Sequence, residues 1–102
     1  MDGIRFEWDE AKNLSNRRKH GVSFEEACAV FHDPLYVSAQ DRIEGGEPRW
    51  QTLGMVGELL LLTVAHTVRE ESHDGAVLEV IRIISARQAT RKERRRYETE
   101  NS

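Results

Sequence analysis

The sequence predicts an α+β fold: helices towards both ends of the chain and an antiparallel four-stranded meander between them. Three observations carry this. Ser23-Phe24-Glu25-Glu26 and Thr90-Arg91-Lys92-Glu93 are capping boxes, each opening a helix. Apolar residues recur at helical spacing before Asp33-Pro34 and largely by twos after it. Glu44-Gly45-Gly46-Glu47-Pro48 and Gly57-Glu58 punctuate the alternating stretch as turns. With 102 residues, the chain has the length of one domain, 1–102.

Each element has its own signal. Asp9 is a good N-cap residue after an extended Ile4–Trp8, and Gly21 fits the closing position of that first helix. Trp8, Ala11 and Leu14 give it a thin apolar stripe. Phe24, Ala27, Cys28 and Phe31 stand at i, i+3, i+4 and i+7, so a second helix buries that face until Asp33-Pro34 stops it. Leu35, Val37 and Ala39 alternate with polar neighbours as a first strand. A second strand is expected from about Arg49 to Val56, a third over Leu59–Val68 and a fourth over Val77–Ser85. Arg69–Gly75 reads as a polar loop, and Gly57-Glu58 as a two-residue hairpin turn. The last helix runs through Tyr97. Helices are expected on one sheet face, with the other left open.

Composition excludes several classes. The longest apolar run, Leu59–Ala65, is broken by Thr63 and too short for a bilayer. The opening residues MDGIRFEWDE are acidic and lack a signal-peptide core. One cysteine, Cys28, gives neither an internal disulfide nor a metal-ligand cluster. The expectation is a soluble cytoplasmic protein with no cofactor, no metal and no membrane. The net charge of −3 hides a segregation. Lys12–His20 holds four basic residues and no acid, and Val80–Tyr97 holds seven basic residues and one acid. Such runs build a basic surface on an otherwise acidic chain, or else two solvated helix faces.

Phe6-Glu7-Trp8-Asp9, Lys12, Asn16, Lys19-His20-Gly21-Val22, Phe24 and Ala27 resemble the opening signature of the BrnT toxins. Arg82-Ile83-Ile84-Ser85-Ala86-Arg87, then Ala89, Glu93-Arg94 and Tyr97, resemble its closing signature, with His66-Thr67 and Arg69 between them. The resemblance implies a small RelE-like fold and a ribonuclease toxin of a type II toxin–antitoxin module. It also implies a BrnA-like ribbon-helix-helix antitoxin, which joins the toxin in a higher-order complex and carries it to promoter DNA.

Cleavage of RNA without a metal, by attack of the 2′-hydroxyl on its phosphodiester, needs proton transfer and fixed positive charge. Histidine titrates near neutrality and arginine offers a planar fork to phosphate oxygens. Arg82 stands in an apolar strand and needs a partner, either a carboxylate or the scissile phosphate. Arg87 follows where that strand leads into the last helix. These two rank first, with Arg69 beside them. His66 continues the parity of Leu60, Leu62 and Val64, so it is either a neutral histidine at the core rim or an acid–base group on the open face. Lys19 and His20 complement the negative end of the first helix, or bind phosphate and move a proton. Arg49 and Trp50 make an RNA contact with base stacking, or a core edge or partner interface. The competing reading is a non-catalytic RNA- or protein-binding regulatory module. The discriminating feature is whether Arg69, Arg82 and Arg87 converge with His20 or His66 on one open surface.

Overall fold

The computed structural model describes residues 3–102. Strand β1 (Gly3–Glu7) leads into helix α1 (Glu10–His20) and the short α2 (Phe24–Ala27). A 3₁₀ turn (Cys28–His32) follows, then strands β2 (Val37–Glu44), β3 (Glu47–Val56), β4 (Leu60–His73) and β5 (Ala76–Gln88), and helix α3 (Arg91–Glu100). The sheet order is β1-β5-β4-β3-β2. β2 to β5 form the expected antiparallel meander, but the sheet has five strands and is mixed, because β1 pairs in parallel with β5. The N-terminal helices are therefore preceded by a strand. The extended Ile4–Trp8 alternates apolar and charged residues, but nothing local shows that it pairs with a strand so distant in the chain.

The meander also departs from expectation in its loops. The polar segment from Arg69 is strand, not loop: β4 continues to His73 and β5 starts at Ala76, joined by Asp74-Gly75. Both turn residues have positive φ, 51° and 82°, the requirement of the tight turn between twisted strands. The segment reads as a loop because its side chains are charged. It is a strand because Arg69, Glu71 and His73 pair with one another and with β1. The Gly57 turn has three residues, since Val56 pairs with Leu60 and leaves Leu59 91% exposed. The second helix is one turn of α-helix before it tightens to 3₁₀.

Two packed clusters lie on opposite faces of the sheet. Phe24, Ala27 and Val30 press on Leu62, Val64, Ile81 and Ile83. On the other face, expected to be open, Tyr97 of α3 packs on Leu53 and Leu61, so helices lie on both sides of the sheet. Gly54 allows the close approach of the 3₁₀ turn: a Cβ there would stand 2.7 Å from the Val30 carbonyl oxygen. Asp33, which ends that turn, accepts from the Met55 amide (2.8 Å) and the Tyr97 hydroxyl (2.6 Å). It thus ties the turn to β3 and α3, and desolvation, with the Asp33 contact second, pushes the Tyr97 hydroxyl up to about 12.

Helix α1 inverts its expected pattern. Ala11 and Leu14 face solvent, Leu14 at 50% exposure, while Asn13 and Asn16 are buried. Both asparagines replace missing backbone partners. The Asn13 side chain accepts from the Phe24 amide at the start of α2 (2.8 Å). The Asn16 amide donates to the carbonyls of Val22 (2.9 Å) and Ala86 (2.7 Å) and accepts from the Ala86 N–H (3.2 Å). The caps are as read: Asp9 accepts from Ala11 and Lys12, and Gly21 closes the helix at φ 71°.

Candidate active site

Strand register assigns the expected site residues to faces. Glu7, Arg82 and Thr67 lie side by side across β1, β5 and β4, and side chains two residues apart along a strand share a face. Arg5, Arg69 and Arg82 therefore share a face with Glu7. Arg87, opposite Thr63, lies on the same face, because a bulge at Ile84 takes up one residue between Ser85 and Ile83. The three arginines thus occupy one side of the sheet. His66 does not join them. It lies opposite Trp50 on the side covered by α2 and the 3₁₀ turn.

The arginines have different surroundings. Glu7 sits between two guanidiniums: Arg69 Nη2 donates to Oε1 at 2.6 Å and Arg82 Nη1 to Oε2 at 3.2 Å. These contacts, led by Arg69, hold the Glu7 carboxyl below the usual carboxylate range. Arg69 also donates to Glu71, which accepts from Arg5 and is held down to about 2, mainly by hydrogen bonds from His73 and Arg69. All these side chains are partly open to solvent. Arg87 instead grips Glu93 through both amino groups, at 2.8 and 3.0 Å. Glu93 also accepts from Thr63 and from the Thr90 amide of the capping box, and is held at about 2. Arg87 therefore clamps the start of α3 to the sheet.

Lys19 and His20, the last residues of α1, lie beside the edge of β5. β1 pairs only with Leu78–Arg82, so the edge of β5 is open beyond Arg82 until the Asn16 amide covers Ala86. A groove there is lined by Lys12, Ser15, Lys19, His20, Ile84 and Ser85. Ser85 is three residues from Arg82, roughly 10 Å along the strand. His20 lines that groove, at the edge of β5 beyond the position of Arg82. Among the described residues, Lys12, Arg18 and Lys19 have no carboxylate within ion-pair distance.

His66 is buried at 3% exposure. Its Nε2 meets the Thr52 hydroxyl at 2.7 Å, which meets Ser38 at 2.6 Å. Desolvation takes its pKa down to about 4, so the ring is neutral at pH 7. This is the core-rim placement. Trp50 lies with it in a cleft of about 210 Å³ that Val68 and Ile81 also line. Arg49, whose Nε is buried without a hydrogen bond, lies 3.7 Å from Glu44.

Sequence reasoning missed Glu7. Its signal was indirect: Arg82 in an apolar strand demanded a partner, but the partner came from a strand 75 residues away.

The family model for the ribonuclease toxin BrnT of type II toxin–antitoxin systems matches residues 8–93. The chain belongs to the BrnT family. That family consists of ribonuclease toxins and carries an antitoxin partner by its type II organisation. The crystal structure of the Brucella abortus ribonuclease toxin BrnT is similar in fold, with a TM-score of 0.53 and 23% identity over 89% of this chain and 99% of that one. No curated protein sequence matches the chain. Among the described residues, no helix is long and apolar enough to cross a membrane.

Proposed function

We propose that this BrnT-family chain cuts RNA without a metal, by 2′-hydroxyl attack, at the Glu7–Arg69–Arg82 cluster and along the groove beside it. One observation carries the reading: two guanidiniums hold a single, solvent-accessible carboxylate between them. A phosphodiester presents a similar pair of negative oxygens, so a fork that holds Glu7 also fits phosphate. Arg82 and Arg69 bind the scissile phosphate and meet the charge that develops on it. Glu7, released from its two cations, becomes a stronger base and takes the proton of the 2′-hydroxyl. The 2′-oxygen bonds to phosphorus and the bond to the 5′-oxygen breaks. Protonated His20 gives its proton to that leaving oxygen. The products are a 2′,3′-cyclic phosphate and a 5′-hydroxyl. Lys12 and Lys19 track the neighbouring backbone phosphates. Arg87 serves the scaffold.

The cell counterpart of this chemistry is inhibition of translation and growth in the bacterial cytoplasm, neutralised by a BrnA-like ribbon-helix-helix antitoxin that also brings the complex to promoter DNA. The direct test is incubation of purified protein with RNA in excess chelator. Cleavage that persists, with cyclic-phosphate and 5′-hydroxyl ends, is expected. Activity lost in EDTA and restored by a divalent ion overturns the mechanism. RNA bound but left whole favours the non-catalytic module.

A further inference from the structure

The cleft on the side of the sheet that carries the 3₁₀ turn has a chemistry opposite to that of the arginine face. Its walls are the rings of Phe31, Tyr36 and Trp50, with Phe31 6.5 Å from Tyr36 and 4.9 Å from His66 between ring centres. Its floor is the uncharged His66, whose orientation is fixed by the Thr52–Ser38 hydroxyl chain. Glu79 lines the cleft and pairs across the sheet with Glu70. Both are exposed, and among the described residues neither has a cationic partner. Tyr36, at 50% exposure, leaves its ring open to solvent. Aromatic faces and free carboxylates both attract cations, and a planar guanidinium satisfies both at once. The same acidic rim repels a phosphate backbone.

We propose that this cleft binds an arginine side chain of the partner antitoxin, between the Tyr36 and Trp50 rings and against Glu79. The inference rests on the type II pairing of the family and not on the catalytic assignment. The cleft is small, so it takes one long side chain of the partner and not a folded element. Because it lies across the sheet from Arg82, this contact anchors the antitoxin without occupying the arginine fork.

The test titrates isotope-labelled protein with the peptide acetyl-Gly-Arg-Gly-amide and with its citrulline counterpart, which keeps the shape and loses the charge. The Trp50 indole N–H should shift saturably while that of Trp8 stays in place. The citrulline peptide should bind about tenfold more weakly, the loss expected for a cation–aromatic contact plus one charged partner. Glu79→Gln should weaken the arginine peptide several-fold at an unchanged melting temperature. Equal binding of the two peptides, no shift of Trp50 at saturating peptide, or tighter displacement of its indole signal by a short RNA would each overturn the proposal. A second arm uses the protein encoded beside this chain and the Glu70→Lys/Glu79→Lys double variant. Binding to the parent but not to the variant supports the cleft. Equal binding to both overturns the cleft and leaves the antitoxin pairing intact. If that protein binds neither, the pairing reading falls and the peptide arm decides the cleft alone.

Discussion

Arg82 and Arg87 stand five residues apart on one strand, face the same side of the sheet and are both paired with a glutamate. Their partners make them different. Glu93 is fixed by three groups, Arg87, Thr63 and, through the capping box, Thr90, so the Arg87 pair is a finished structural joint. Glu7 is shared between Arg82 and Arg69 at the rim of the sheet and touches no backbone donor among the described residues. A carboxylate hydrogen-bonded by two exposed guanidiniums, with Arg5 a third cation at 3.9 Å, can be exchanged for a phosphate. A carboxylate built into a helix cap cannot leave without undoing the cap. An arginine's use follows from what else its partner holds.

The largest expected effect separates the two. Arg82→Ala should cut the RNA-cleavage rate on the order of a hundredfold or more, the usual cost of losing a charge-stabilising donor. Its thermal midpoint should move little, because exposed ion pairs contribute about 1 kcal/mol or less. A folded Arg82→Ala protein that cuts at the parent rate would remove Arg82 from the chemistry. Arg82→Lys keeps the charge without the fork and should fall between the two.

Asn16→Ala comes next. It strips a buried backbone N–H and two carbonyls of their partners and should cost roughly 2–3 kcal/mol. For a domain of this size that lowers the melting temperature by about 10 °C or more. A shift near zero would mean that water replaces the side chain at the edge of β5.

Arg87→Ala should be milder and purely structural. Partial exposure discounts the bidentate pair to about 1 kcal/mol, a fall of roughly 4–8 °C in the melting temperature. Cleavage measured well below that temperature should stay near the parent rate. A large loss of rate in the folded variant would move Arg87 back into the site.

The last comparison is in pH. His66 has its folded pKa near 4, below the ordinary 6.5, so the unfolded chain binds the proton more readily between those values. Stability from this group is complete above about pH 6.5 and declines as pH falls towards 4. Glu93, lowered from 4.5 to about 2, contributes stability above about pH 4.5 that is lost as pH falls towards 2. Melting temperatures from pH 7 to 3 should therefore fall in two stages. Arg87→Ala should flatten only the second.

Much of this architecture was legible. The three caps of α1 to α3 followed from side chains that bond to their own neighbours, so local sequence sufficed. Phe24 and Ala27 followed from helical spacing, but Val30, and not Cys28 or Phe31, completes the buried surface, because the chain tightens to 3₁₀ after Ala27. What escaped depends on distant pairing. β1 is a strand because β5 offers it an edge, and Arg69–His73 is a strand because Arg5, Glu7 and Arg69 meet Glu71 and Arg82 in a cross-strand ion network. The burial of Asn13 and Asn16 lies outside the Trp8, Ala11 and Leu14 stripe and depends on the distant Phe24 and Ala86 backbones. For the site, arginines were nameable by type, and the shared face of Arg69, Arg82 and Arg87 needed only alternation and the Ile84 bulge. Which histidine accompanies them needed the fold: parity aimed His66 at a face, but only the packed 3₁₀ turn shows that face to be covered.

The most direct measurement of the central claim is an NMR titration of the labelled protein with an RNA oligonucleotide made uncleavable by 2′-deoxy substitution. The account predicts that signals of Glu7, Thr67, Arg69, Arg82 and Ser85 shift together with those of Lys19 and His20, while the Trp50 indole and His66 stay in place. Shifts confined to Tyr36, Trp50 and His66, with the arginine face unmoved, would contradict it.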